Sequence, residues 1–180
     1  LNPESSLLYD ITSIPSYSVA PIFEYGHAKD HPDLEQVNFS MLMEKRRGIP
    51  LYYELYPGSI PDIVTLKRTI DYLSPRIGEM EIVLDRDFFS VDNLRLISGM
   101  KYVIAASIVR KEVKAVFSKA ARTVDRADNI IMYDGNPIFC QRVSFRMEEL
   151  DLTGYFYHDP KREAEERSDF HRRLKEKREM

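Results

Sequence analysis

The chain has 180 residues, of which 43% are hydrophobic and 31% are charged, a composition typical of one ordinary globular domain. Its formal net charge of −3 argues against a uniformly basic nucleic-acid-binding protein. No apolar run approaches the roughly 20 residues that span a bilayer, and no charged-then-apolar leader is visible, so neither a membrane partner nor export is expected. Cys140 is the single cysteine, which excludes an internal disulfide and favours a cytoplasmic location.

Three antiparallel strands are predicted to open the chain, at residues 7–18, 36–45 and 49–56. The second strand alternates, and one side of it carries the apolar residues Val37, Phe39, Met41 and Met43, as in a half-buried strand. Residues 46–48 connect the second and third strands as a hairpin. A polar loop at 26–33 contains two histidines and two aspartates, but their spacing matches no tight metal-ligand pattern, so a solvated loop is expected.

Helices and apolar strands alternate after the hairpin. The predicted elements, in order, are an amphipathic helix from Asp62 that ends before Pro75, a buried strand at 82–85, a short helix at 91–98 closed by Gly99, a buried strand at 101–108 and a basic helix at 110–123. Beyond residue 126 the pattern changes to short strands at 130–133, 137–145 and 153–157, with a turn at 134–136, and then to a highly charged helix at 160–180.

Charge is unevenly distributed along the chain. Residues 1–40 carry six acidic residues and one lysine, whereas residues 110–126 carry six basic residues and two acidic ones. Such an arrangement can hold metal ions in one place and phosphates in another, although composition alone favours an ordinary solvated surface. The candidate DNA-binding residues in the basic segment are Arg110, Lys111, Lys114, Lys119 and Arg122.

The order of elements predicts an α/β protein with a ribonuclease-H-like mixed sheet, in which an antiparallel three-stranded start is followed by parallel strands with helices. The apolar run at 82–84 leads into Asp85, where α/β proteins usually place their chemistry, and a similar run at 7–9 leads into Asp10. In this architecture the two strands are neighbours, and paired carboxylates suit magnesium or manganese. Two such ions activate a water and stabilise the leaving oxygen of a phosphodiester. A simple turn or N-cap role is the alternative for Asp85.

Five segments resemble, in the same order, motifs in the catalytic domain of DDE transposases of prokaryotic insertion sequences. They are Tyr9-Asp10-Ile11-Thr12-Ser13, the stretch 24–37 (Glu-Tyr-Gly-His-Ala-Lys-Asp-His-Pro-Asp-Leu-Glu-Gln-Val), the stretch 48–59 (Gly-Ile-Pro-Leu-Tyr-Tyr-Glu-Leu-Tyr-Pro-Gly-Ser), the stretch 83–90 (Val-Leu-Asp-Arg-Asp-Phe-Phe-Ser) and the stretch 157–167 (Tyr-His-Asp-Pro-Lys-Arg-Glu-Ala-Glu-Glu-Arg). The last stretch is similar to an insertion that precedes the catalytic glutamate in one branch of the family.

The resemblance implies metal-dependent DNA cleavage and strand transfer at transposon ends, with Asp10 and Asp85 as the first two metal-binding catalytic acids. It also implies transposon ends and target DNA as partners and a homodimer at full length. Residues 1–126 would be an incomplete ribonuclease-H-like catalytic core, and residues 127–180 an insertion region. The third acid, a glutamate, would follow Met180, so the chain is expected to be a fragment that is inactive alone. Asp87 stands where the family usually has glycine, and its carboxylate is expected to disturb the metal geometry beside Asp85.

Two other functional classes stay open. A haloacid-dehalogenase-like phosphatase would use Asp85 as nucleophile and Asp87 as general acid, with residues 103–107 as its second motif. Its nucleophile should lie near the start of the domain, whereas some eighty residues precede Asp85 here. A non-catalytic DNA-binding remnant would bind the phosphate backbone through the basic segment 110–126, with an affinity that falls steeply as salt rises.

Overall fold

A computed structural model describes residues 6–26, 33–60, 62–77 and 80–179. The chain packs as two compact units, Leu1–Ser107 and Ile108–Met180. The division into functional domains at residue 126 stays a prediction, and it differs from this packing boundary. Among the described residues, no helix combines the length and the hydropathy that crossing a bilayer requires.

The first unit contains five strands and two helices, β1 (Ser6–Pro15), β2 (Gln36–Glu44), β3 (Ile49–Pro57), α1 (Asp62–Ile77), β4 (Glu81–Leu84), α2 (Val91–Ile97) and β5 (Lys101–Ile104). The strands form one mixed sheet in the order β3-β2-β1-β4-β5. Strands β1, β2 and β3 pair antiparallel, whereas β4 pairs parallel with both β1 and β5. This is the strand order and direction of a ribonuclease-H-like sheet, and the predicted fold class is confirmed.

The helices close one face of this sheet. Leu7 and Ile82 are fully buried on that face and pack in one cluster with Leu66 of α1 and Ile97 of α2. Each such side chain stabilises the fold by roughly 1.5–3 kcal/mol relative to an exposed one. The Tyr9 hydroxyl donates a hydrogen bond to Thr65 Oγ1 of α1 at 3.2 Å, so this face holds polar contacts as well.

Strand β2 buries polar residues, although its alternating pattern alone favours burial of the apolar side. Asn38, Ser40 and Glu44 are at most 3% exposed, whereas Phe39 and Met41 are only half-buried. These polar groups can be buried without a large free-energy cost because each forms its hydrogen bonds within the protein. The Asn38 amide donates to two backbone carbonyls, and the Glu44 carboxylate accepts from two backbone N–H groups in the hairpin turn.

The second unit contains α3 (Lys111–Ala120), β6 (Ile130–Tyr133), β7 (Asn136–Met147), β8 (Leu150–His158) and α4 (Pro160–Glu179). The strands form an antiparallel sheet in the order β6-β7-β8. The predicted turn between β6 and β7 is confirmed, because Asp134 and Gly135 have φ values of 47° and 75°, as a tight hairpin turn requires. Helix α3 packs on one sheet face through an edge-to-face contact between Phe117 and Phe156, with ring centroids 4.5 Å apart.

Four predicted boundaries in the first unit were wrong, and one of them is the end of β1, which lies at Pro15 instead of residue 18. Strand β5 ends at Ile104 instead of residue 108, because its partner β4 ends at Leu84. It is an edge strand of the sheet. Helix α1 continues through Pro75 to its end at Ile77, since a proline in the last turn removes only one backbone donor. Gly99 does not close α2 with a left-handed backbone. The helix ends at Ile97, and its C-cap residue is Ser98, whose hydroxyl donates to the carbonyl oxygen of Arg95 at 2.8 Å.

Candidate active site at the paired carboxylates

Asp10 and Asp85 occupy corresponding positions on two neighbouring parallel strands. The register of β1 and β4 pairs residues 6–9 with residues 81–84 and ends at the pair Tyr9 and Leu84. Asp10 directly follows Tyr9, and Asp85 directly follows Leu84. Adjacent strands of a sheet lie about 4.8 Å apart. The sheet therefore brings the two predicted acids next to each other.

Both aspartates are on the open face of the sheet. Tyr9 and Leu84 are 2% and 3% exposed on the helix-covered face, and successive side chains of a strand point to opposite faces. Asp10 and Asp85 are both exposed. Strand β1 continues past Asp10 to Pro15 with β2 as its partner, but β4 stops at Leu84. Asp10 thus lies inside its strand and not at the strand end that the sequence predicted, and its β4 side is open because β4 is shorter.

Each carboxylate makes one local hydrogen bond. Asp10 Oδ1 accepts from the backbone N–H of Ile11 at 2.8 Å, and Asp85 Oδ1 accepts from that of Arg86 at 2.5 Å. Asp85 is therefore also the N-cap of the 3₁₀ turn Arg86–Phe88. This is the structural role that was predicted as the alternative to a functional one. No ion pair joins either carboxylate to a lysine or arginine of the described residues. One oxygen of each group stays available to a cation.

The open face around the pair is apolar. Met41 on β2 is the cross-strand partner of Asp10, and Tyr53 on β3 is the cross-strand partner of Met41. Val103 on β5 has the same orientation as Val83 on β4, and Tyr53 and Val103 are 67% and 52% exposed. Carboxylates that border an apolar surface bind cations more strongly than carboxylates surrounded by water, because the local dielectric constant is lower.

The donor set fits a hard divalent cation in part. Carboxylate oxygens on adjacent strands are the ligands that Mg²⁺ and Mn²⁺ prefer. Within the described ranges, no group of three or more histidine, cysteine, aspartate or glutamate side chains is arranged to hold a metal. Asp10 and Asp85 would supply two ligands, and the remaining positions would be filled by water or by groups outside the described residues.

Glu54 is the nearest acid on strand β3, but it belongs to the other face. It is opposite Ser40, and its Oε2 accepts hydrogen bonds from the hydroxyls of Tyr52 at 2.5 Å and Tyr56 at 2.6 Å. Burial and the bond to Glu54 raise the pKa of Tyr52 to about 12, and the same causes raise the pKa of Tyr56. Both hydroxyls therefore stay protonated donors, and the Glu54 carboxylate is occupied by these two hydrogen bonds on the helix-covered face.

Asp87 adopts an ordinary right-handed backbone. It lies in the 3₁₀ turn that follows Asp85, and the described non-glycine residues with positive φ are Asp134 and Glu148. Its carboxylate is 3.9 Å from the guanidinium of Arg86, and both side chains are more than half exposed. The glycine usual at this position in the resembled family is thus not required here by a left-handed conformation.

All five candidate DNA-binding residues are exposed. On α3, Lys111, Lys114 and Lys119 lie on the side opposite Val113 and Ala120, which are buried, as the 100° rotation per helical residue requires. Arg110 precedes the helix and Arg122 follows it. None of the five pairs with a carboxylate in the described part of the chain. Their positive charge is therefore available to an anionic partner.

One polar network was missed by the sequence reasoning. Gln36 is 1% exposed, and its amide nitrogen donates to Asn38 Oδ1 at 3.0 Å and to Ser13 Oγ at 3.2 Å. Glu24 bridges to Gln36 through backbone hydrogen bonds and accepts one from the Ser59 hydroxyl. The signal was the alternation of polar Gln36, Asn38 and Ser40 along β2. His27, Asp30 and His31 of the polar loop lie outside the described residues.

The sequence matches no protein-family model, and no curated protein matches it. The structure is similar to the piggyBac transposase in its synaptic complex with hairpin DNA, with 15% identity, a TM-score of 0.48 and coverage of 87% of this chain. The chain spans 33% of that transposase chain.

Two further solved structures are similar at lower scores. Endonuclease V of Ciona intestinalis, in complex with an inosine-containing DNA, has 12% identity, a TM-score of 0.36 and coverage of 85% of this chain and 70% of its own. The Drosophila P element transposase strand transfer complex has 13% identity, a TM-score of 0.30 and coverage of 74% and 31%. At these identities the fold assignment rests on the strand order β3-β2-β1-β4-β5.

Proposed function

We propose that residues 1–126, which include the first unit and α3, are the incomplete catalytic core of a DDE transposase of the insertion-sequence type, which in the full-length protein cleaves and joins DNA phosphodiesters with Mg²⁺ or Mn²⁺. One observation carries the proposal, namely the parallel register that sets Asp10 beside Asp85 on the open face of a ribonuclease-H-like sheet. Residue types, register and exposure all agree with two metal-binding acids.

Asp10 and Asp85 would hold the cation from one side, each through the oxygen that its backbone hydrogen bond leaves available. Ions held there would supply the Lewis acidity that activates a water and stabilises the leaving oxygen of a phosphodiester. The backbone N–H groups of Ile11 and Arg86 fix the orientation of the two carboxylates. The β-sheet supplies the rigidity that a metal site needs, because both aspartates follow buried residues on paired strands.

DNA is the proposed substrate, and the exposed cations of α3 are the proposed contacts to its phosphates. Lys111, Lys114 and Lys119 form one basic side of this helix, a pattern that suits a polyanionic backbone. A homodimer is proposed for the full-length protein from the sequence resemblance. The 180-residue chain alone is proposed to be inactive or nearly so, because two carboxylates hold a two-ion site incompletely.

Two parallel assays distinguish the functional classes. The first follows Mg²⁺- or Mn²⁺-dependent nicking of a supercoiled plasmid, and the second follows hydrolysis of p-nitrophenyl phosphate. We expect neither activity at an appreciable rate. Efficient nicking that Asp10→Asn abolishes would contradict the proposed inactivity while supporting the site. Hydrolysis of the phosphate ester that requires both Asp85 and Asp87 would overturn the proposal in favour of the phosphatase.

A further inference from the structure

The second unit exposes a sheet face on which tyrosine and arginine side chains lie next to each other. In the register of β7 and β8, Cys140 is opposite Tyr157, and Arg142 is opposite Tyr155. Tyr133 of β6 has the same orientation, since it pairs with Asn136 of β7. We call Tyr133, Arg142, Tyr155 and Tyr157 the tyrosine face. Helix α3 packs on the opposite side of this sheet, where Phe117 contacts Phe156.

The rings of the tyrosine face are largely open to solvent. Tyr155 and Tyr157 are each 59% exposed, and Tyr133 is 69% exposed. Neighbouring exposed large apolar side chains mark an interaction surface more often than isolated ones do, and Tyr155 and Tyr157 are such neighbours on β8. Tyr157 is directly opposite Cys140 across the strand pair, and partial burial together with the neighbouring thiol raises the pKa of the Tyr157 hydroxyl. The hydroxyl therefore stays uncharged at neutral pH.

The charge of the tyrosine face suits an anion. Strands β7 and β8 contain one carboxylate, Asp151, and Arg146 lies 3.8 Å from it. Arg142 is exposed and pairs with no carboxylate among the described residues. An exposed guanidinium opposite a tyrosine ring, as Arg142 is opposite Tyr155, can contact a phosphate and stack on a base.

The spacing of the rings favours single strands over duplexes. Tyr155 and Tyr157 are two residues apart on one strand, so their attachment points are about 6.8 Å apart. This is roughly twice the 3.4 Å rise per base of a DNA duplex, in which bases are stacked on each other and their faces are not available. Unpaired bases are free to spread and to stack on separate aromatic rings.

We propose that the tyrosine face binds single-stranded DNA, with unpaired bases stacked on Tyr155 and Tyr157 and a phosphate contacted by Arg142. This inference goes beyond the metal-dependent chemistry proposed for the first unit and does not depend on Asp10 or Asp85. The basic side of α3 is a separate candidate surface, since it belongs to a helix on the other side of the same sheet.

The test measures the fluorescence anisotropy of a labelled oligothymidylate titrated with the complete 180-residue chain. Tyr155→Ala and Tyr157→Ala are each expected to weaken binding about tenfold, the loss typical of one stacked base. Tyr157→Phe keeps the ring and should bind like the unsubstituted chain. Tyr17→Ala is the matched control, because Tyr17 is an 89% exposed tyrosine of the first unit, and it should leave the affinity unchanged.

Three results would overturn the inference. They are an unchanged oligonucleotide affinity in Tyr155→Ala and Tyr157→Ala, a loss of affinity in Tyr17→Ala equal to that in Tyr157→Ala, and an equal dependence of duplex binding on the same two rings. Circular dichroism of each variant establishes that it is folded. The metal site has a separate readout, Mn²⁺ binding, so failure of the tyrosine face and failure of the metal site are distinguishable.

Discussion

The two sheets of this protein are built alike but leave chemically opposite faces open. Each is closed on one side by helices, α1 and α2 on the five-stranded sheet and α3 on the three-stranded sheet. The open face of the first carries Asp10 and Asp85 within an apolar surround, whereas that of the second carries tyrosines and Arg142. The first face suits a cation and the second suits an anion with aromatic groups. The residues on the open face therefore determine what each unit can bind, while the residues on the closed face determine its stability.

The closed faces also differ in how they are stabilised. The first unit combines an apolar cluster with buried polar groups on β2, which form hydrogen bonds with backbone carbonyl and N–H groups of the neighbouring loops and turn. The second unit relies on aromatic contacts and on a few buried apolar residues, among them Met147 and Val113. Substitutions on closed faces should therefore change stability, and substitutions on open faces should change binding.

The largest stability effect is expected for Leu66→Ala in α1. Leu66 is fully buried in the cluster of the first unit, so the substitution should lower the free energy of unfolding by about 3 kcal/mol. Urea unfolding followed by circular dichroism measures this loss. Val64→Ala on the same helix is the control, because Val64 is 40% exposed. Equal losses for the two variants would show that α1 does not close this face.

Asn38→Ala should be the next most damaging change. The Asn38 side chain donates to the carbonyl oxygens of Gly58 and Ile60 and accepts from Gln36, so alanine leaves several buried polar groups unpaired. We expect a loss of about 2 kcal/mol in the free energy of unfolding. Asn136→Ala, at the exposed start of β7, should cost far less in the same urea experiment. A near-neutral Asn38→Ala would refute the role given to the polar side of β2.

Neutralising the basic side of α3 should weaken duplex binding without unfolding the chain. Replacing Lys111, Lys114 and Lys119 by glutamine removes three proposed phosphate contacts, which should flatten the slope of log affinity against log salt concentration by about 2.7. Replacing the α4 residues Lys161, Lys175 and Lys177 by glutamine changes the net charge equally and is the control. An equal change of slope in both triple variants would mean that α3 has no special role.

The smallest effect is a pH dependence at the β2–β3 hairpin. Burial acts to raise the pKa of Glu44. Hydrogen bonds from the backbone N–H groups of Arg46 and Arg47 and from the Arg47 guanidinium lower the pKa by more than burial raises it, so it lies below its ordinary value of 4.5. A lowered pKa in the folded state means that the carboxylate stabilises the fold above about pH 4.5 and loses this contribution as the pH falls through the lower folded value.

The urea midpoint of Glu44→Gln should therefore lie below that of the unsubstituted chain at neutral pH, and the difference should shrink in acid. Glu165→Gln, at an exposed position of α4, serves as the control and should show a difference that is small at every pH. A Glu44→Gln difference that grows as the pH falls would contradict the assigned direction of the pKa shift.

The sequence predicts much of the fold because local signals and topology agree. The apolar run before Asp85, the hairpin return at 49–56 and the helical spacing of Leu66, Ile70 and Leu73 each indicate one element, and all of these are present. Their order then selects the mixed sheet. The neighbouring positions of Asp10 and Asp85 follow from this topology together with the apolar runs that precede both residues.

Features that depend on distant partners could not be predicted. The burial of Asn38 requires carbonyl groups some twenty residues away, and the early end of β5 follows from the length of β4. Tyr155 and Tyr157 lie in a stretch whose pattern indicates a strand but not which side of it is covered. The side covered depends on the placement of α3, and only the structure shows it.

Manganese binding tests the central claim most directly. Isothermal titration of the 180-residue chain with Mn²⁺ should detect a site whose affinity falls at least about tenfold in Asp10→Asn and in Asp85→Asn, since each removes a ligating carboxylate. Asp71→Asn is the control, because Asp71 is an exposed aspartate on α1 that pairs with Lys67 at 2.7 Å. The account predicts unchanged affinity for that control. Equal Mn²⁺ affinity in the chain and in both site variants would contradict the assignment of Asp10 and Asp85 as metal ligands.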